Sequence, residues 1–97
     1  MKLTQLEKLF EDLALIRGGV FLLSPTDAVR FVKTCQEQGI AVLGVEGFKV
    51  SGANLQPFQE HSIDFVEMTK DAYEATIQFL QDRQETGLWF EVVTGDR

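Results

Sequence analysis

Apolar residues in this chain recur with two spacings. In some stretches they return every three or four positions, in others every second position or continuously, which is the signature of helices alternating with strands. In TQLEKLFEDLALIR, residues 4–17, Leu6, Phe10, Leu13 and Ile16 fall on one helical face, and Thr4 and Glu7 have the T-x-x-E spacing of a capping box. Gly18 supplies a stop, so the pattern predicts an N-terminal helix within residues 1–17. GVFLL, residues 19–23, is short, apolar and rich in branched and aromatic side chains, as a buried strand requires. Ser24-Pro25 then opens a second helix: Ser24 can cap it, Pro25 suits its first position, and Asp27 sits in the favourable first turn. The apolar stripe of that helix is Ala28, Phe31, Val32 and Cys35, and Gly39 ends it.

IAVLGVEGF, residues 40–48, reads as a strand covered on both faces, because both alternating sets are apolar. In KVSGAN the turn residues Ser51, Gly52 and Asn54 predict a hairpin into a strand near Leu55, and Pro57 keeps that strand at an edge or an end. SIDFVEM, residues 62–68, has β-forming residues in a mixed pattern. Residues 70–86 predict a third helix, with Asp71 and Glu74 as a second capping pair, the stripe Tyr73, Thr76, Ile77 and Leu80, and Gly87 as a stop. LWFEVV, residues 88–93, closes the pattern as a strand. The expected fold is a single α+β domain over residues 1–97, a small sheet with helices packed on one face. Its order suits a split, ferredoxin-like βαββαβ plan preceded by an N-terminal helix. Its core would join Val20, Leu22, Val42, Leu43, Phe90 and Val92 from the strands to Phe31, Ile77 and Leu80 from the helices.

One residue interrupts the apolar logic. Strict alternation places Ile40, Val42, Gly44, Glu46 and Phe48 on one face, so the carboxylate of Glu46 would share an apolar surface. An ionised carboxylate buried there without a partner would cost several kcal/mol. Either Glu46 marks the point where the strand leaves the core, or it is a recessed contact residue between Gly44 and Gly47, which would let a partner's backbone come close.

Composition narrows the function classes. Hydrophobic residues make up 44% and charged residues 25%, which is ordinary for a globular chain. No apolar run approaches the ~18 residues that span a bilayer, and the acids in MKLTQLEKLFEDL do not suit a signal peptide, so a cytoplasmic protein is expected. One cysteine and one histidine leave too few soft ligands for structural zinc, and no cofactor motif is present; Gly18, Gly19 and GVEG lack the spacing of phosphate-binding loops. Nine basic against fifteen acidic residues give a net charge of -6, which opposes binding to a phosphate backbone and makes nucleic acid a poor partner on electrostatic grounds.

The charge is concentrated. Residues 49–97 carry -5 of the total, and Glu60, Asp64, Glu67, Asp71 and Glu74 place five acids within fifteen residues, relieved only by Lys70. Asp71, Glu74, Gln78, Asp82 and Glu85 also fall along one helical face, which is either a solvated face or a surface that steers a cationic partner into contact. Catalysis is not expected. His61 stands between Glu60 and Asp64, yet no Ser or Cys nucleophile sits in a recognisable strained turn, so His61 reads as a surface or loop residue. Cys35 lies on an apolar stripe and reads as a buried, inert thiol.

GIAVLGVEGFKVSG, followed by Pro57 and the IDF of residues 63–65, resembles small bacterial proteins grouped as predicted immunity proteins of toxin systems, over residues 19–66. The resemblance implies a non-catalytic protein that neutralises a cognate, often basic, toxin through an acidic surface, with Glu46 and Asp64 as the matched polar positions. Together with the charge pattern it makes Glu46, Glu60, Asp64, Glu67, Asp71 and Glu74 the expected partner-binding residues. The competing expectation is a small-molecule-sensing or assembly domain, since ferredoxin-like sheets often pair edge to edge; a homodimer through a sheet edge belongs to that reading.

Overall fold

The computed structural model describes residues 2–64 and 71–95. The chain runs through α1 (Gln5–Leu9), a short 3-10 turn (Glu11–Leu13), β1 (Leu15–Arg17), β2 (Val20–Leu22), α2 (Pro25–Gln38), β3 (Val42–Ser51), β4 (Asn54–Asp64), α3 (Asp71–Gln81) and β5 (Trp89–Thr94). The fold is α+β, with β1 and β2 forming one antiparallel ribbon and β4-β3-β5 a three-stranded antiparallel sheet.

The N-terminal prediction is half right. The capping box forms as read, Glu7 N donating to Thr4 Oγ1 at 3.1 Å and Thr4 N donating to Glu7 Oε1 at 2.9 Å. The α-helix nevertheless ends at Leu9, and Leu15–Arg17 is a strand instead of a last helical turn. Gly18, expected as a helix stop, and Gly19, expected to open the strand, together form a two-residue hairpin loop between Arg17 and Val20. Both have positive φ, 56° and 77°, the condition of a I′ turn whose twist matches its flanking strands. The hairpin captures the apolar residues that would have continued the helix. Leu6 and Phe10 reach the core, whereas Leu13 and Ile16 are exposed.

α2 follows the sequence closely. Ser24 caps it by accepting from Asp27 N, Pro25 begins it, and Gly39 ends it in the left-handed region. Phe31, Val32 and Cys35 from α2, Leu80 from α3, Val42 and Val45 from β3, and Phe90 from β5 form one buried cluster, so α2 and α3 lie over the same face of the sheet. Phe10 adds an edge-to-face contact on Phe31, with centroids 5.2 Å apart. Within α3, the fully buried Thr76 satisfies its hydroxyl on the carbonyl of Ala72 at 2.6 Å.

The succession β2-α2-β3-β4-α3-β5 is the predicted one, but the strand order is not ferredoxin-like. Leu23, just after β2, bridges Phe90 in an antiparallel sense through two hydrogen bonds of 2.9 and 2.8 Å. The end of β2 therefore runs parallel to β3 with β5 between them, and β4 runs parallel to β5 with β3 between them. Both crossovers are split, as that plan requires, yet β3 and β5 hold the centre, whereas a ferredoxin-like sheet centres its first strand. The strand that would occupy the middle is short, and its own ribbon with β1 leaves only Leu23 for the larger sheet.

Candidate functional site

Glu46 owes its position to a bulge. Opposite β5, Val42 and Gly44 pair with the consecutive residues Thr94 and Val93, so Leu43 is an extra residue and the alternation of β3 shifts phase there. Val42 and Val45 both enter the helix-side core, Leu43 is 41% exposed instead of buried, and Glu46 turns to the face away from the helices. The bulge separates Glu46 from Val42 and the helix-side core, but Glu46 still shares its face with Gly44 and the buried Phe48 and is itself half-buried, so its carboxylate sits at the margin of an apolar surface.

On that face Glu46 pairs directly across the ladder with Glu91 of β5. Like charges opposite one another in a sheet are destabilising. Burial raises the Glu91 carboxyl above the ordinary carboxylate range, and Glu46 and then Glu7 raise it further, so among the described residues the charges acting on it are negative. β3 and β5 thus set two carboxylates opposite each other, and the charge of Glu7 on α1, whose carboxylate accepts from Thr4 N in the capping box, also acts on Glu91. Val93 beside the pair is 40% exposed, and Glu46 and Glu91 are each half-buried. Among the described residues no group of His, Cys, Asp and Glu is arranged to hold a metal ion. What the opposed carboxylates suit is an ammonium or guanidinium group, which would relieve their mutual repulsion.

The two glycines beside Glu46 act inside the chain. A Cβ on Gly47 would lie 2.6 Å from the carbonyl oxygen of His61 and 3.0 Å from the Phe90 ring. The close approach that Gly47 permits is therefore taken up by β4 itself. Between the pairs Val45 with Ile63 and Gly47 with Phe58, residues 59–62 of β4 bulge out of register. Ser62 fastens the bulge, its hydroxyl accepting from Gly47 N at 3.1 Å and donating to the Phe58 carbonyl at 2.7 Å.

The other expected contact residues are dispersed along the chain. Glu60 is exposed on β4, and its carbonyl accepts from Arg83 Nη2 at 3.3 Å. Asp64 ends β4 with its backbone opposite Gly44, Asp71 begins α3, and Glu74 is exposed on α3. Glu67 lies outside the described residues. Glu74, Gln78, Asp82 and Glu85 are all exposed, and Gln78 donates to Asp82 at 2.8 Å within that row. Sequence reading missed Glu91 as the cross-strand partner of Glu46, and Glu7 as a charge acting on Glu91. The signal for Glu91 was its place in the closing strand, but only the register across the ladder joins it to Glu46.

His61 is half-buried in β4 and not on a loop: Arg83 Nε donates to its Nδ1 at 3.1 Å. Cys35 is fully buried within the core cluster. A separate cavity of about 790 Å³ opens between the N-terminal segment and the end of α2, lined by Lys2, Thr4, Gln5, Leu6, Gln38 and Ile40 among others. Among the described residues no helix is long and apolar enough to cross a membrane. No protein-family model matches this chain, and no curated protein does either.

Proposed function

We propose that this chain is a non-catalytic protein-binding domain that takes a cationic protein against its acidic sheet face, and that it acts as an immunity protein neutralising a basic toxin. The observation that carries the reading is the direct opposition of Glu46 and Glu91, with the charge of Glu7 also raising Glu91 and, among the described residues, no positive charge acting on it. A fold that keeps a repelling pair on its central strands gives up stability, and a partner's Lys or Arg would recover it on binding. The net charge of -6 supports the same reading by steering a basic protein into contact, while exposed Val93 and Leu43 add apolar area near the pair. Glu60, Asp64, Glu67, Asp71 and Glu74 contribute to the long-range field on this reading, and Glu46 makes the contact.

The test is capture of partners from the native host followed by mass spectrometry, with wild type compared against Glu46→Gln and Glu91→Gln. The proposal expects a basic protein captured by wild type in a salt-sensitive way and weakened in both variants. Capture that is equal for all three and indifferent to salt would overturn it. The absence of catalysis is tested separately on a hydrolase and nuclease substrate panel, where turnover abolished by His61→Ala would make the chain an enzyme.

The cavity of about 790 Å³ favours a second reading, a small-molecule-sensing domain, because its volume lies in the range of ligand pockets. That reading places the ligand near Lys2 and Gln38, away from Glu46, so an anionic metabolite bound with loss on Lys2→Ala would distinguish it.

A further inference from the structure

The contact between His61 and Arg83 depends on the protonation state of the imidazole. A guanidinium N–H can only donate, so the 3.1 Å bond from Arg83 Nε requires a lone pair on His61 Nδ1 and places the ring proton on Nε2. The rest of the guanidinium is held firmly. Nη1 donates to the Phe79 carbonyl at 3.0 Å, Nη2 to the Glu60 carbonyl at 3.3 Å, and the group stacks 3.6 Å above the Phe79 ring. The histidine is also anchored, its ring set edge-on to Phe58 at 6.2 Å and its carbonyl packed against Gly47. Arg83 thus ties the bulge of β4 to the end of α3, and His61 supplies the side-chain half of that tie.

We propose that His61 and Arg83 form an acid-sensitive latch: a proton on Nδ1 replaces the side-chain hydrogen bond by two facing positive charges and loosens the β4 bulge from the end of α3, leaving the bond from Arg83 Nη2 to the Glu60 carbonyl as the remaining tie. Among the described side chains the charged group in contact with the ring is Arg83, and the ring's aromatic neighbour on its own strand is the uncharged Phe58; Gly47 on β3 meets the His61 carbonyl and Cβ, and the adjacent Glu60 is exposed and gives Arg83 its carbonyl. The latch is independent of whether a cationic partner docks at Glu46.

The experiment is nitrogen-15 NMR of the His61 ring in the full chain, followed with amide-exchange protection of residues 59–62 from about pH 8 to about pH 5, the window in which histidines titrate. The proposal expects the Nε2–H tautomer at the upper end and a fall in protection of about tenfold or more as the ring protonates, the scale of a lost charged hydrogen bond. His61→Asn keeps an acceptor that takes no proton, and its protection should stay level over the same range. An Nδ1–H tautomer, protection that is unchanged while the wild-type ring titrates, or an equal fall in His61→Asn would each overturn the latch. The wild-type spectra decide the question if the variant fails to fold.

Discussion

The two faces of β3 and β5 differ in what their cross-strand pairs accomplish. On the helix side Val45 lies opposite Val92 and Gly47 opposite Phe90, and every member either fills the core or gives room for it. On the far side Glu46 faces Glu91, and the pair repels. The same strands, in the same register, are thus optimised for packing on one face and left in conflict on the other. Local conflicts of this kind in an otherwise consistent fold mark places where something other than folding sets the residue.

Substitutions on the two faces should separate these roles. The largest effect belongs to the packed side: Leu80→Ala, at a side chain with no exposed surface, should lower unfolding free energy by ~2 to 5 kcal/mol in urea denaturation. Gly47→Ala should follow at ~1 to 3 kcal/mol, because its Cβ would force the His61 carbonyl and the Phe90 ring apart. On the far face the sign reverses. Glu46→Gln and Glu91→Gln should each raise stability near neutral pH by roughly 0.2 to 1 kcal/mol, and the double variant should gain less than the two together, since removing either charge already ends the repulsion. The smallest effect is Leu43→Ala, expected within about 0.5 kcal/mol because the bulge leaves that side chain exposed. A loss comparable to that of Leu80→Ala would mean that Leu43 packs in the core after all.

Much of this fold was legible where a local signal and the packing agreed. α2 has its cap, its proline and its terminal glycine in sequence, and all three act as read. The β3–β4 hairpin is likewise written locally, with Gly52 at positive φ in the two-residue loop between Ser51 and Asn54. The N-terminal helix was misjudged because Leu13 and Ile16 fit a helical period, while the paired glycines that follow them prefer a hairpin turn. The choice was made by pairing with Val20–Leu22, a tertiary event. The core assignment of Leu43 and the face assigned to Glu46 failed for one shared reason, the bulge at Leu43. Alternation cannot reveal such an insertion, because its cause lies in the partner strand. For the candidate site, the sequence offered Glu46 itself but not Glu91, which is distant in the chain and meets it only through the ladder.

The central claim is that Glu46 and Glu91 are held opposite each other at a cost to the fold. It is tested most directly by the unfolding free energy of wild type and Glu91→Gln from about pH 4 to about pH 8. A carboxyl raised by burial and neighbouring carboxylates contributes stability in full below its unfolded pKa, and that contribution is lost as pH rises through its folded value. Wild type should therefore match the variant most closely at the acid end and fall progressively below it as pH rises. A wild type that gains on Glu91→Gln with rising pH would mean that the folded state favours the ionised carboxylate, and the repelling pair would be contradicted.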